Sequence, residues 1–167
     1  QPIIFGPDRN LGGYISSVTG REMLLWQGAC HVHDRFSLQG ILDMKKAHPG
    51  AKVLVHPECR KPLQIIADMV GSTARLLDYA RKSDADTFIV VTESGILHQM
   101  QKDCPEKRFL AAPAEDAECQ CNECEYMKMI TLPKLYTALR DLQPRVEVDP
   151  ELAAKALRPI KRMLELS

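Results

Sequence analysis

The sequence predicts an α/β fold with parallel strands, and two observations support this prediction. Short apolar runs alternate along the chain with longer amphipathic stretches, as they do in strand–helix–strand units. Two of the runs, Val53-Leu54-Val55 and Phe88-Ile89-Val90-Val91, are continuous and rich in β-branched residues, which is typical of strands buried on both faces of a parallel sheet. Parallel strands are joined by right-handed crossovers, so helices are expected to cover the sheet.

In the first third of the chain, strands are predicted where apolar runs are short, and helices where apolar residues recur every three or four positions. Ser37 is a candidate N-cap for the second helix, and His48-Pro49-Gly50 ends that helix. The predicted strands cover 3–5 and 23–26, and the predicted helices cover 10–18 and 37–47.

The rest of the chain repeats this alternation around the two strong strands at 53–55 and 88–91. Val70-Gly71 separates two short helices, and Pro150 lies near the start of the last one, where proline is favoured. The remaining elements are a strand at 109–112, a Cys-rich loop at 113–125, and helices at 62–69, 72–82, 96–102, 131–142 and 150–166.

Composition narrows the class of protein. The 167 residues carry 22 Lys plus Arg and 22 Asp plus Glu, so no overall charge favours nucleic acid or an anionic membrane. No apolar run approaches the roughly 18–20 residues that span a bilayer, and the N-terminus does not resemble a signal peptide. A cytoplasmic protein is therefore expected, with its six cysteines reduced or bound to metal. Because the chain opens on an apparent strand without a Met, a fragment of a longer protein is also expected.

Cys, His and Glu residues follow the ends of four predicted strands. In open parallel sheets, ligands bind outside the carboxyl ends of the strands, so these residues are expected to gather at one edge. The residues are Gly28, Cys30, His31 and His33 after the second strand, His56, Pro57, Glu58 and Cys59 after the third, Thr92 to Gly95 after the fourth, and Cys119, Cys121 and Cys124 after the fifth.

Each group has a functional and a structural interpretation. Cys30 is a metal ligand, a nucleophile or a small buried side chain. Only one of His31 and His33 is expected to face the site, with the other in packing or in solvent. His56 and Glu58, held apart by the rigid Pro57, suit general acid–base chemistry, although a surface ion pair would have the same pattern.

The loop Cys119-Gln-Cys-Asn-Glu-Cys124 has thiols spaced closely enough to converge on iron or zinc, or it is a loop with incidental thiols. Structural zinc usually takes four closely paired ligands, whereas this chain has one tight Cys group and a remote Cys30. An iron–sulfur cluster with ligands from separate strand ends fits better. Gly71-Ser72-Thr73 opens a helix, where it could hold an anion or act as an ordinary N-cap.

Five motifs in this order resemble the quinolinate synthase family, and they cover nearly the whole chain. They are Trp26-Gln-Gly-Ala-Cys30-His-Val-His33, His56-Pro-Glu58, Val70-Gly-Ser-Thr73, Cys124-Glu-Tyr-Met-Lys-Met129 and Pro159-Ile-Lys-Arg-Met-Leu164. The resemblance implies three-layer αβα domains with short parallel sheets in a pseudo-threefold, three-domain arrangement. It also implies synthesis of quinolinate from iminoaspartate and dihydroxyacetone phosphate in NAD biosynthesis.

The resemblance further implies a [4Fe–4S] cluster that takes one Cys from each domain and leaves one iron open to substrate. Cys30 and Cys124 would be two of the ligands, with the third in a first domain that this chain lacks. Glu58 would transfer protons, with His56 and His33 in the same cavity, and His56, Pro57, Glu58, Ser72 and Thr73 would bind substrate. Cys119 and Cys121 resemble extra thiols that some members carry beside the ligand.

The same resemblance predicts the domain boundaries. Residues 1–34 would end the second domain, 35–130 would form the third, and 131–167 would be helices that pack on the missing first domain, so the isolated chain would be inactive. L-aspartate oxidase, which supplies iminoaspartate, is the implied protein partner, and neither nucleic acid nor membrane is expected. The alternative is a non-catalytic zinc-binding or redox-sensing module built on the Cys119, Cys121 and Cys124 loop.

Overall fold

A computed structural model describes residues 2–115 and 122–166. The chain divides into two compact units, Gln1–Glu125 and Tyr126–Ser167. The first unit contains two parallel sheets, and the second contains helices only among its described residues. The predicted domain boundaries at residues 34 and 130 are not tested by this division and stay a prediction.

The smaller sheet pairs β1 (Ile4–Phe5) with β2 (Leu24–Leu25) in parallel, and α1 (Arg9–Thr19) connects them. Asp8 begins α1 because its carboxylate accepts a hydrogen bond from the Leu11 N–H at 2.8 Å. Gly12 lets the helix lie directly on the sheet, since a Cβ there would meet the side chains of Leu25 at 2.5 Å and Phe5 at 2.9 Å. The helix is thereby fixed against the two strands whose ends lead toward the candidate site.

The larger sheet has four parallel strands in the order β4-β3-β5-β6. The two continuous apolar runs form its centre, as predicted, and Val53 lies opposite Ile89 in the register. Because the strands are parallel, all four carboxyl ends lie at one edge. Their bounds are β3 Lys52–Val55, β4 Met69–Val70, β5 Thr87–Val91 and β6 Arg108–Ala111.

Helices cover both faces of this sheet, which makes three αβα layers. Alternate strand residues such as Val53 and Leu54 face opposite layers and are fully buried. On one face, Val53 and Val55 pack with Ile41 of α2 (Leu38–Ala47) and Leu63 of α3 (Lys61–Ile65). On the other, Leu54 and Phe88 pack with Leu76 of α4 (Thr73–Lys82) and Met100 of α5 (Ile96–Asp103). The predicted α/β fold class is confirmed.

The second unit contains α7 (Leu132–Asp141) and α8 (Pro150–Glu165), and α6 (Glu125–Lys128) leads into it. Thr131 and Asp149 cap the two longer helices through their side chains. Both helices are amphipathic, and many of their large apolar residues are exposed, Leu139 and Met163 by more than half. Within the part of the chain that the structure describes, no helix combines the length and apolarity that a membrane crossing requires.

One predicted helix is partly wrong. The helical pattern at 62–69 ends at Ile65, and Met69–Val70 forms the edge strand β4 instead. The reason is tertiary: β3 has a free edge there, Leu54 pairs with Met69, and the Gly71 N–H donates to the Val55 carbonyl at 3.1 Å. Pairing with an existing strand outweighs a weak local helical preference.

Asp68 ties this edge strand to β3, and its charge gives a testable contribution to stability. Its carboxylate accepts the Val53 N–H at 2.8 Å and the Lys52 ammonium at 3.0 Å, with Lys45 at 3.8 Å. Burial raises the pKa of Asp68, but the hydrogen bond from Val53 and the two lysines outweigh it, so the pKa lies below its usual value.

Asp68→Asn is therefore expected to lower the free energy of unfolding by about 1 kcal/mol at neutral pH. A carboxylate with a lowered folded-state pKa stabilises the fold above its unfolded pKa of about 3.9, and the stabilisation is lost as the pH falls through the folded-state value. Urea denaturation of both proteins from neutral to acid pH should show the difference closing only below about pH 4. Asp43→Asn, at an exposed ion pair with Lys46, is the control and should change little. A pH-independent loss in Asp68→Asn would contradict this account.

Candidate active site

Three side chains from two strand ends converge at the carboxyl edge of the sheets. Cys30 and His33 come from the segment after β2, and Glu58 comes from the turn after β3. The possible ligand atoms of these three residues all lie within 4.8 Å of one another. The predicted gathering of Cys, His and Glu chemistry is therefore present for these residues, and His33, rather than the exposed His31, turns into the group.

His33 is the buried member of the group, and both of its ring nitrogens face polar atoms. Its Nε2 lies 2.9 Å from the Thr92 hydroxyl, at the end of β5. Its Nδ1 lies 2.9 Å from Oε2 of Glu58, but the contact is poorly aligned, so Nδ1 has no hydrogen-bond partner of good geometry among the described residues. A single 3-10 turn, His33–Arg35, holds the ring in this position.

His56 stacks on His33 and completes the wall of the site. The two imidazole rings lie 4.4 Å apart at an interplanar angle of 20°. His56 Nδ1 accepts the Glu58 N–H at 3.3 Å and lies 3.8 Å from the Glu58 carboxylate. The buried Pro57 between them presents its carbonyl to Gln64 of α3 at 2.8 Å. The turn at residues 56–58 is thus held by the stacking with His33 and by the hydrogen bond from Gln64.

The electrostatics of the site favour a negative Glu58 and a neutral His56. The contact with His33 lowers the pKa of Glu58, and this effect exceeds the opposing effect of partial burial. Burial lowers the pKa of His56, and the nearby His33 acts in the same direction. Glu58 therefore rests as a carboxylate at neutral pH and can accept a proton.

The Cys30 thiol is half-buried and stays protonated in the absence of a metal. Burial raises its pKa, and the carboxylates of Glu58 and Asp8 contribute, although the backbone N–H groups of His33 and Val32 oppose them. Those N–H groups would stabilise a thiolate once a metal ion has displaced the proton. Cys59 differs: it is fully buried, burial raises its pKa strongly, and its thiol faces the Val91 carbonyl at 3.5 Å.

The first turn of α1 joins the two segments that carry the site. Asp8 accepts the Cys30 N–H at 2.7 Å. Asn10 donates both to the Asp34 carboxylate at 3.1 Å and to the Glu58 carbonyl at 3.0 Å. Sequence reasoning missed these supporting residues. Asp8 could have been found from its N-cap position after Gly6-Pro7, whereas the sequence carries no signal for Asn10.

Cys124 follows the Cys-rich loop and is not among the three side chains whose ligand atoms converge. It packs, as Cys30 does, against the core layer that contains Val55 and Val91. Its N–H donates to Glu93 at 3.4 Å, and Asn122, two residues earlier, is buried and donates to the Ala112 carbonyl. Cys119 and Cys121 lie outside the described residues.

Ser72 and Thr73 follow the carboxyl end of β4, at the same sheet edge as His56, because Val70 pairs with Val55. Ser72 caps α4, with its hydroxyl 3.4 Å from the Arg75 N–H, and both residues are exposed. The N-cap interpretation is therefore confirmed for Ser72, and the binding of an anion by Ser72 and Thr73 stays a prediction.

Comparison with known proteins identifies the family of the chain. The family model described as "NadA: Quinolinate synthetase A protein" matches residues 1–165. The quinolinate synthases of Microcystis aeruginosa and Thermosynechococcus vestitus are 55% and 52% identical to this chain over all 167 residues, which cover 52% of each relative. That of Chloroherpeton thalassium is 51% identical over the same span.

The chain spans about half the length of the curated relatives that it matches. The family match nevertheless extends over almost every residue, including all five motifs and the three converging side chains. The chain therefore belongs to the quinolinate synthase family.

Proposed function

We propose that this chain is the cluster- and substrate-binding part of a quinolinate synthase, which condenses iminoaspartate with dihydroxyacetone phosphate in NAD biosynthesis. The observation that carries the proposal is the convergence of Cys30, His33 and Glu58 in a chain whose whole length matches that family. The substrates, L-aspartate oxidase as their supplier, and a cytoplasmic location are part of the same proposal.

The donor set fits a [4Fe–4S] cluster in part. Cluster irons take Cys thiolates, and Cys30 and Cys124 offer two half-buried thiols against one core layer. The N–H groups of Val32 and His33 face the Cys30 sulfur, as suits a cluster ligand. When bound, a cluster with one open iron would act as a Lewis acid on a substrate oxygen. We propose that the third Cys lies in a first domain, within the part of the relatives that this chain does not cover.

The residues of this chain would bind the substrates and transfer protons. Ring formation from an imine and a triose phosphate requires several proton removals next to carbonyl carbons. Glu58 rests as a carboxylate, so we propose that it accepts the first proton, as general bases do when they lie within reach of the substrate. His33 would fix the carboxylate, and His56, whose side chain is 17% exposed, would contact substrate. Ser72 and Thr73, at the start of α4, would hold an anionic group of the substrate.

A second candidate follows from the Cys-rich loop, which could bind zinc or form a disulfide without any catalysis. Anaerobic purification of the complete protein, followed by iron, sulfide and zinc determination, separates the two. About four irons and four sulfides for each protein, the content of one [4Fe–4S] cluster, together with quinolinate formation, would support the synthase. Zinc bound by the loop, with no iron and no quinolinate, would support the module.

We also propose that the 167-residue chain alone is inactive. Two of the three cluster ligands that the family resemblance requires lie here, so the isolated chain is expected to bind iron poorly and to form no quinolinate. The measurement is anaerobic quinolinate formation by the chain alone, with the complete protein assayed in parallel. Robust activity of the 167-residue chain would contradict the proposal.

A further inference from the structure

Within the candidate site, Cys30, His33 and Glu58 also meet the requirements of a different ligand, a single divalent ion. They offer a sulfur, an imidazole nitrogen and a carboxylate oxygen within 4.8 Å of one another. Ligand atoms of a tetrahedral zinc ion lie roughly 3–4 Å apart, as bond lengths of about 2.0–2.3 Å require. To surround one ion, ligand atoms that are as far as 4.8 Å apart would have to approach one another by about 1 Å.

His33 is already oriented as metal-binding histidines are. In such sites, one ring nitrogen binds the metal while the other is held by a hydrogen bond. Here Nε2 is held by the Thr92 hydroxyl at 2.9 Å. In the tautomer whose Nε2–H donates to Thr92, the Nδ1 lone pair faces the Glu58 carboxylate, 2.9 Å away. An ion between these two atoms would be bound by both lone pairs, whereas without an ion the favoured tautomer directs the Nδ1 proton toward Glu58.

The charges also balance. Zn²⁺ with one thiolate and one carboxylate has no net charge, which suits a site whose His33 side chain is only 10% exposed. Sulfur and imidazole donors favour zinc over magnesium or calcium. Three protein ligands leave one coordination position for water.

We propose that Cys30, His33 and Glu58 form a mononuclear Zn²⁺ site in the cluster-free protein. Binding releases the proton of the Cys30 thiol and creates a sulfur–zinc bond, with no change of oxidation state. The site itself does not depend on the proposed function. Only the competition between zinc and a cluster rests on the proposed function, because the Cys30 thiolate would be a ligand of the zinc ion and of the cluster.

The test uses the complete chain, purified without a cluster under reducing, anaerobic conditions. Zn²⁺ affinity is measured by competition with a chromophoric chelator, and Co²⁺ is used as a spectroscopic substitute. We expect one tight site, and an absorption band from sulfur-to-cobalt charge transfer that disappears in Cys30→Ser. His33→Ala and Glu58→Gln should each weaken zinc binding by at least about tenfold.

Thr92→Val removes the orienting hydroxyl without touching the ligands and keeps the side-chain volume. It should weaken zinc binding by about 10–100-fold while the protein stays folded by circular dichroism. Cys104→Ser, at the buried end of α5, and the double variant Cys119→Ser/Cys121→Ser are the controls and should bind zinc as the parent does. Parent affinity in Cys30→Ser and His33→Ala, or loss of zinc only in the double variant, would overturn the proposal.

A final measurement separates this inference from the proposed function. Zinc-loaded protein is treated with iron and sulfide, and both metals are then counted. Failure to take up the cluster until zinc is chelated would support the shared use of Cys30. If the iron–sulfur cluster forms while zinc stays bound to Cys30, the zinc site is supported and the assignment of Cys30 to the cluster is contradicted.

Discussion

Cys30→Ser and Cys124→Ser are each expected to abolish the bound cluster in the complete protein. Each substitution removes one thiolate from an iron, and a hydroxyl does not replace a thiolate at such a site. Both thiols are half-buried beside the same core layer, so the serines should fit without disturbing the fold. The measurement is iron and sulfide content after anaerobic reconstitution, together with the visible absorption of the cluster.

Two other cysteines serve as matched controls for this experiment. Cys59→Ser and Cys104→Ser change thiols that are almost fully buried in the core, and Cys59 faces a carbonyl to which a serine hydroxyl could also donate. Both variants should keep their iron. Equal iron content in all four variants would show that neither Cys30 nor Cys124 is a ligand.

Glu58→Gln should leave the cluster and substrate binding in place but reduce turnover on the order of 10²-fold or more, as the loss of a general base does. The amide has nearly the shape of the carboxylate, but it cannot accept the proton. Because His33 lowers the pKa of Glu58, the parent carboxylate is ionised throughout the neutral range. Anaerobic quinolinate formation, with KM and kcat separated, and the absorption spectrum of the cluster are the two measurements.

His56→Ala is the companion variant. Its imidazole stacks on His33 at 4.4 Å and its side chain is only partly buried, so its loss should raise KM as well as lower kcat. If Glu58→Gln instead turns over at the parent rate, Glu58 is a structural carboxylate. The proton-transfer role would then pass to His33, the next imidazole in the cavity.

The sequence was informative where a local pattern determines the structure. Continuous β-branched runs such as Val53-Leu54-Val55 leave few alternatives to a buried parallel strand, and strand ends place Cys30 and Glu58 at one edge. The choice between His31 and His33 could not be made, because the chain after β2 is a turn, not a strand, and alternation does not apply there. Likewise, Met69 and Val70 form the strand β4 because they pair with β3, and local sequence does not show this pairing.

The supporting contacts of the site were unpredictable for a related reason. Asn10 and Glu58 are 48 positions apart, and His33 and Thr92 are 59 apart. Such pairs arise from the way in which whole strands and helices pack, and a single sequence carries no local signal of them. Asp8 is intermediate: its capping role has a local pattern, whereas its bond to Cys30 does not.

The position of Thr92 has a consequence for the dynamics of the site. Thr92 directly follows β5, which is paired on both sides and whose residues 88–91 are almost completely buried. Strands of this kind open only when the whole domain unfolds, whereas exposed helix ends open locally at a small free-energy cost. The His33 ring is therefore anchored to the slowest-exchanging part of the molecule. Fraying of α4 or α5 should leave its orientation unchanged, so the imidazole keeps one direction throughout the native ensemble.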